Sequence, residues 1–104
     1  MRKLVFFNMQ FIVIARDYKD ALQRRLDIRS KHIELGDKMV LDGKALYGVA
    51  LLDDKEQMKG SVYIVDFPSR VELDEWLKTE PYVTGKVWEK IDIIPCRVGP
   101  SFTK

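Results

Sequence analysis

Two kinds of stretch alternate along the chain, and their order predicts the fold. From Leu4 to Ala15, apolar residues fill both faces of an extended strand. Val5, Phe7, Met9, Phe11, Val13 and Ala15 lie on one face, and Leu4, Phe6, Ile12 and Ile14 on the other, interrupted by Asn8 and Gln10. Such a run reads as a strand buried on both sides. Arg16 to Lys19 reads as a turn. Asp20 with Gln23 forms a capping pair, and a helix is expected from there to about Leu35, stopped by Gly36, which can adopt the left-handed conformation at a helix end. Met39 to Tyr47 is expected as a second strand, bent at Gly43. Residues 48–59 begin apolar with Val49, Leu51 and Leu52 and turn polar at Asp53, which predicts a loop holding a short strand. Ser61 to Phe67, rich in Val, Ile, Tyr and Phe, predicts the third strand. In the next segment Ser69 can cap a helix start and Glu72 can complete the capping box. Leu73, Trp76 and Leu77 supply its apolar face, and Pro81 ends it near Thr79 or Glu80. Tyr82 to Gly85 is a single turn, Val87 to Cys96 the last strand, and residues 97–104 a tail that can lie on a partner.

The order strand, helix, strand, strand, helix, strand is the α+β, ferredoxin-like arrangement, β-α-β-β-α-β, with a four-stranded antiparallel sheet. It is expected as a single domain over residues 1–104. Two helices cover only one face of such a sheet. The first strand is nevertheless apolar on both faces, and in the third Tyr63, Val65 and Phe67 oppose Val62 and Ile64. The uncovered face would be a large exposed apolar patch, which packing two sheets face to face removes. A homodimer through the sheet faces is therefore expected.

Composition narrows the partners. A formal net charge of +2, with both signs interspersed, gives no basic patch for nucleic acid. Cys96 is the one cysteine and His32 the one histidine, so neither an intramolecular disulfide nor a dedicated zinc site is expected. The basic pair and apolar run at the N-terminus imitate a signal peptide. Asn8 and Gln10 break the run, no small-residue cleavage site follows, and the run is too short to span a bilayer. A cytoplasmic protein with no membrane partner is the expectation.

The candidate chemistry lies on the first helix. At about 100° per residue, Arg24, Lys31, Asp27, Glu34, Gln23 and Ser30 form a continuous solvent face. The inward arc holds Ala21, Ile28 and Leu35 on one side and Leu22, Leu26 and Ile33 on the other, with Arg25, Arg29, His32 and Gly36 between them. A buried unpaired Arg costs several kcal/mol, so these cations require either acidic partners or a solvated pocket. Glu80 sits at the end of the second helix, where the dipole does not favour a negative charge, and its natural partner is His32. Two readings follow. His32 is a general acid or base oriented by Glu80, with Arg29 holding an anionic group and Tyr82 donating a hydrogen bond to substrate. Alternatively, His32 and Glu80 form a structural bridge between the helices. Trp76 and Trp88 read as core, and Cys96 as structural.

Arg29-Ser30-Lys31-His32-Ile33, Gly43, Glu80-Pro81-Tyr82 and Ile93-Ile94-Pro95 together resemble the YciI-like (YCII-related) family over about residues 9–98. The resemblance implies a ferredoxin-like domain dimerising into an α/β barrel. It also implies a His and an Asp as active-site residues, which fall on His32 and Glu80; the family's aspartate is a glutamate here, and the N-terminus is several residues longer. One branch of the family resembles a dehydrochlorinase acting on chlorinated hydroxyhydroquinones. The expectation is a small dimeric protein doing cofactor-free lyase, isomerase or dehalogenase-type proton transfer on a small anionic or aromatic metabolite. The alternative is a non-catalytic metabolite-binding or assembly module of the same fold.

Overall fold

The computed structural model describes residues 8–102. Its elements are β1 (Met9–Asp17), α1 (Leu22–Leu41), β2 (Ala45–Leu52), β3 (Met58–Phe67), α2 (Arg70–Thr79), α3 (Pro81–Thr84), β4 (Trp88–Cys96) and a 3-10 turn at Pro100–Phe102. The strands form one antiparallel sheet in the order β2-β3-β1-β4, the ferredoxin-like topology. The segment Leu4 to Phe7, expected to begin the first strand, lies outside the described residues. No helix among the described residues is long and apolar enough to cross a membrane.

Four expectations about the region between β1 and β3 are corrected. Asp20 does not cap α1: it has φ 60°, Ala21 occupies the cap position without a side-chain bond, and Gln23 instead donates to Asp27. The helix passes through Gly36 and ends six residues later than expected, at Leu41. The stop is Gly43, whose φ is +73°. Its N–H donates to the Val40 carbonyl and the Lys44 N–H to that of Met39, the paired bonds of a Schellman motif. Gly43 therefore ends a helix rather than bending a strand, and Met39 is helical. β2 begins after it and continues through Val49 and Leu51 to Leu52, where a loop holding a short strand was expected. α2 follows its sequence signals. The Ser69 hydroxyl accepts the Glu72 N–H at 3.2 Å, and the chain turns extended at Glu80, before Pro81.

The helices cover one sheet face. Phe11, Val13, Val65 and Phe67 pack there with Met39, Leu73 and Trp76, and Ala15 packs with Tyr82, Val87 and Trp88; Tyr63 touches both groups. Across the opposite face, Tyr47, Ile64, Ile12 and Ile94 fall in one register row, and Val49, Val62 and Ile14 in the next. The outer members Tyr47, Val49 and Ile94 are half or nearly half exposed. The three buried residues of α1 are Arg25, His32 and Met39, spaced seven apart. The centre of the helix face turned to the sheet thus carries a cation and an imidazole where a globular helix ordinarily places aliphatic groups.

Candidate active site

His32 is 9 % exposed, and both of its ring nitrogens have partners. Nδ1 lies 2.5 Å from Oε1 of Glu80. Glu80 reaches it because the break between α2 and α3 leaves its backbone extended, with its side chain fully buried. The same oxygen accepts the Tyr82 N–H at 3.2 Å, so Glu80 is also the N-cap of α3. This corrects the expectation that Glu80 is a carboxylate stranded at an unfavourable helix end: it closes one helix and caps the next. With Glu80 as acceptor the ring N–H is on Nδ1, and Nε2 presents a lone pair. The Tyr63 hydroxyl, 3.2 Å away, donates to it.

Aromatic rings fix the imidazole plane. Tyr82 stacks on it with centroids 3.9 Å apart and planes 14° from parallel. Tyr63 and Trp88 meet it edge-on at 5.8 and 6.0 Å. Burial pushes the Tyr82 phenol above its ordinary value. Burial, reinforced by the Glu80 charge, pushes that of Tyr63 up to about 12. Both hydroxyls therefore remain donors at neutral pH. Among the described residues, the Tyr82 hydroxyl and Glu80 Oε2 are buried without a hydrogen-bond partner.

The cations divide into one held and one open. Arg25 is buried, with Nη1 donating to both Asp17 oxygens at 3.0 and 3.1 Å and Nη2 to the Ser61 hydroxyl at 2.7 Å. Its guanidinium also lies 4.6 Å over the Tyr82 ring, while its Nε has no partner among the described residues. Burial raises the Asp17 carboxyl above its ordinary value, outweighing the neighbouring Arg25 charge. Arg29, one turn along α1, is exposed and is in no side-chain hydrogen bond or ion pair among the described residues. A cleft of about 180 Å³ joins these groups, lined by Arg25, Arg29, His32, Ser61, Tyr63 and Tyr82 among others. A second hollow, beside Val40, Leu46 and Tyr47, shares His32, Ile33, Gly48 and Tyr63 with the first.

The structure thus brings His32, Glu80, Arg29 and Tyr82 to one place. Leu26 and Ile33, expected inward, are 48 % and 38 % exposed, and Ile33 lines the cleft. Cys96 lies in β4 with its thiol raised by burial, away from the cleft lining. Among the described residues, no three His, Cys, Asp or Glu side chains gather as a metal ion needs. Tyr63, Ser61 and Asp17 were missed by sequence reasoning. Ser61 carried a signal, a hydroxyl on the strand face shared with Val65 and Phe67. Tyr63 carried none, since an aromatic on that face reads as core. Asp17 was read as part of a turn.

The sequence profile of the YCII-related domain matches residues 9–97. The chain belongs to the YCII-related family. Within that family it is 26% identical to Protein YciI of Escherichia coli O6:H1 over 93 residues, which cover 84% of this chain and 95% of the relative. The Shigella flexneri Protein YciI matches with the same identity and coverage. Among solved structures, the fold is similar to 5-chloro-2-hydroxyhydroquinone dehydrochlorinase from Burkholderia phenoliruptrix AC1100, in complex with 2,5-dihydroxybenzoquinone. The TM-score is 0.79 at 20% identity, covering 89% of this chain and 98% of that one. At that identity the likeness is one of fold.

Proposed function

We propose that this family member is a small homodimeric enzyme catalysing proton transfer on a small anionic or aromatic metabolite. The observation that carries the reading is the direct His32–Glu80 contact at the wall of a cleft with an open cation on its rim. General acid–base transfer needs an imidazole whose tautomer is held by a second group, and Glu80 supplies that hold. Arg29 offers charge to an anionic oxygen, and the Tyr82 hydroxyl a further donor. A bridge whose only role was to tie two helices together would not need the cleft, an Arg29 exposed on its lining or the buried donors beside it. Loss of hydrogen halide and proton-shift isomerisation both turn on removal or delivery of a proton, and a structural neighbour is named for dehydrochlorination of a hydroxylated ring. The dimer rests on the apolar rows of the open sheet face.

The second reading, a metabolite-binding module, draws on the coverage of both ring nitrogens: a fully hydrogen-bonded imidazole also suits a rigid recognition site. Two measurements separate the readings. 2,5-Dihydroxybenzoquinone is expected to shift the His32 ring resonances in both cases. Turnover of 5-chloro-2-hydroxyhydroquinone, lost by at least about a hundredfold in His32→Gln as general acid–base groups contribute, is expected only of the enzyme. Binding without turnover leaves the module.

A further inference from the structure

The surroundings of Tyr63 assign it a part in the chemistry. Nδ1 of His32 is committed to Glu80, so proton exchange with the cleft has to use Nε2, and the Tyr63 hydroxyl stands on that atom at 3.2 Å. Two glycines leave the room that Tyr63 occupies there. Gly48 pairs with it across the β2–β3 ladder, and a Cβ at Gly48 would lie 3.1 Å from the ring. Gly36, in the middle of α1, has ordinary helical backbone, and a Cβ there would lie 3.2 Å from the phenolic oxygen. A glycine in a helix interior lowers its stability, and this one leaves room for a hydroxyl. Trp76 and Trp88 meet the Tyr63 ring edge-on at 5.7 and 6.5 Å, which fixes its tilt. The side chain lines both hollows of the site.

We propose that Tyr63 is a catalytic residue that carries the proton between substrate and His32, so that Glu80, His32 and Tyr63 form a three-membered relay. In the forward step a substrate C–H or O–H bond breaks and its proton forms an O–H bond on the Tyr63 oxygen. The original Tyr63 O–H bond breaks, and that proton forms Nε2–H on His32. The electron pair of the broken bond stays with the substrate or expels its leaving group. Tyr63 is neutral before and after, and His32 becomes an imidazolium against the Glu80 carboxylate. The reverse sequence returns the proton to product or water. The high phenol value of Tyr63 suits a group that passes a proton without resting as phenolate. This inference rests on the proton-transfer reading above, and it names which side chain meets the substrate.

His32 is the one histidine of the chain, so a histidine reagent reports on it alone. Diethyl pyrocarbonate acylates an imidazole nitrogen with a free lone pair, and 5-nitrobenzisoxazole opens when a base takes its ring proton. Both are applied to wild type, Tyr63→Phe, His32→Gln and Gly36→Ala. In Tyr63→Phe, acylation of His32 is expected to rise several-fold, because Nε2 is uncovered. Ring opening is expected to fall by roughly a hundredfold, the lower end of general acid–base contributions, and to reach background in His32→Gln. Gly36→Ala, which crowds the hydroxyl without removing it, is expected to move both rates the same way, and it carries the test if Tyr63→Phe does not fold. Ring opening in Tyr63→Phe at or above the wild-type rate, with His32→Gln inactive, overturns the relay and leaves His32 as the direct base. Equal acylation rates overturn the Tyr63 contact. Ring opening unchanged in His32→Gln overturns the proton-transfer reading and the relay with it.

Discussion

Tyr63 shows how a single residue changes character with its surroundings. On the strand pattern it is one more large side chain facing the helices, beside Val65 and Phe67. In the fold it is the only one of the three with a polar end, and that end lands on His32. Its folded value of about 12 lies above the ordinary 10.0 of a free phenol. A raised value means that the stability tied to the neutral phenol is complete below pH 10 and is lost as the pH rises toward 12. Denaturation midpoints of wild type and Tyr63→Phe are therefore expected to converge, or to cross in favour of the variant, on passing into that window. A constant difference on both sides of it would show that Tyr63 titrates as an ordinary phenol. Asp17 is the second residue whose role is set by position. It and Arg25 have side chains only 5 % and 3 % exposed. Asp17→Ala leaves a buried guanidinium without its counter-charge, and the cost is expected to be about 3–5 kcal/mol by urea denaturation. Ser61 and the Tyr82 ring are not substitutes for a charge.

At the scale of elements, α1 decides the site. Its five residues beyond Gly36 bring Met39 into the core, and the Schellman turn then returns the chain as β2, with Gly48 beside Tyr63. Gly43 is the position that makes this return possible, because its φ of +73° is costly for any residue with a Cβ. Among the described residues nothing lies within 4 Å of a Cβ built there, so the cost of Gly43→Ala is conformational. It is expected to be about 1–2 kcal/mol, seen as a lower thermal midpoint with an unchanged fold. Gly85 is the contrasting case. Its backbone is unremarkable, but a Cβ would run into Ile28 Cδ1 and come within 2.8 Å of the Pro81 carbonyl, so this glycine lets α3 approach α1. That approach is what sets Tyr82 against the His32 ring.

For the molecule as a whole, the sheet has one face that the helices finish and one that they do not. Ile64, Ile12 and Ile94 run straight across three strands of the open face, with Tyr47 beyond them on β2. The proposed dimer buries these rows against their copies. Ile12→Lys puts a charge at the centre of the row and is expected to give a folded monomer in light scattering where the wild type gives a dimer. A wild type that is monomeric at micromolar concentration and does not aggregate removes the dimer from the proposal.

The element order, the antiparallel ferredoxin-like sheet, the helix between its cap Ser69 and its breaker Pro81 and the grouping of Arg25, Arg29 and His32 on one helix face were all legible in the sequence. Each depends on local periodicity or on a cap and a breaker a few residues apart, and such signals survive without knowledge of the partners. The end of α1 was not legible. Gly36 and Gly43 offer the same local freedom, and only packing against Tyr63 and the return of β2 shows which one turns the chain. The pairing of His32 with Glu80 could be anticipated from two polar groups in unsuitable places. The rest of the site could not. Tyr63, Ser61 and Asp17 come to His32 and Arg25 through strand register and helix docking, between positions 8 to 36 residues apart. The sequence carries the chemistry of each group, and the tertiary structure alone decides which groups share a proton.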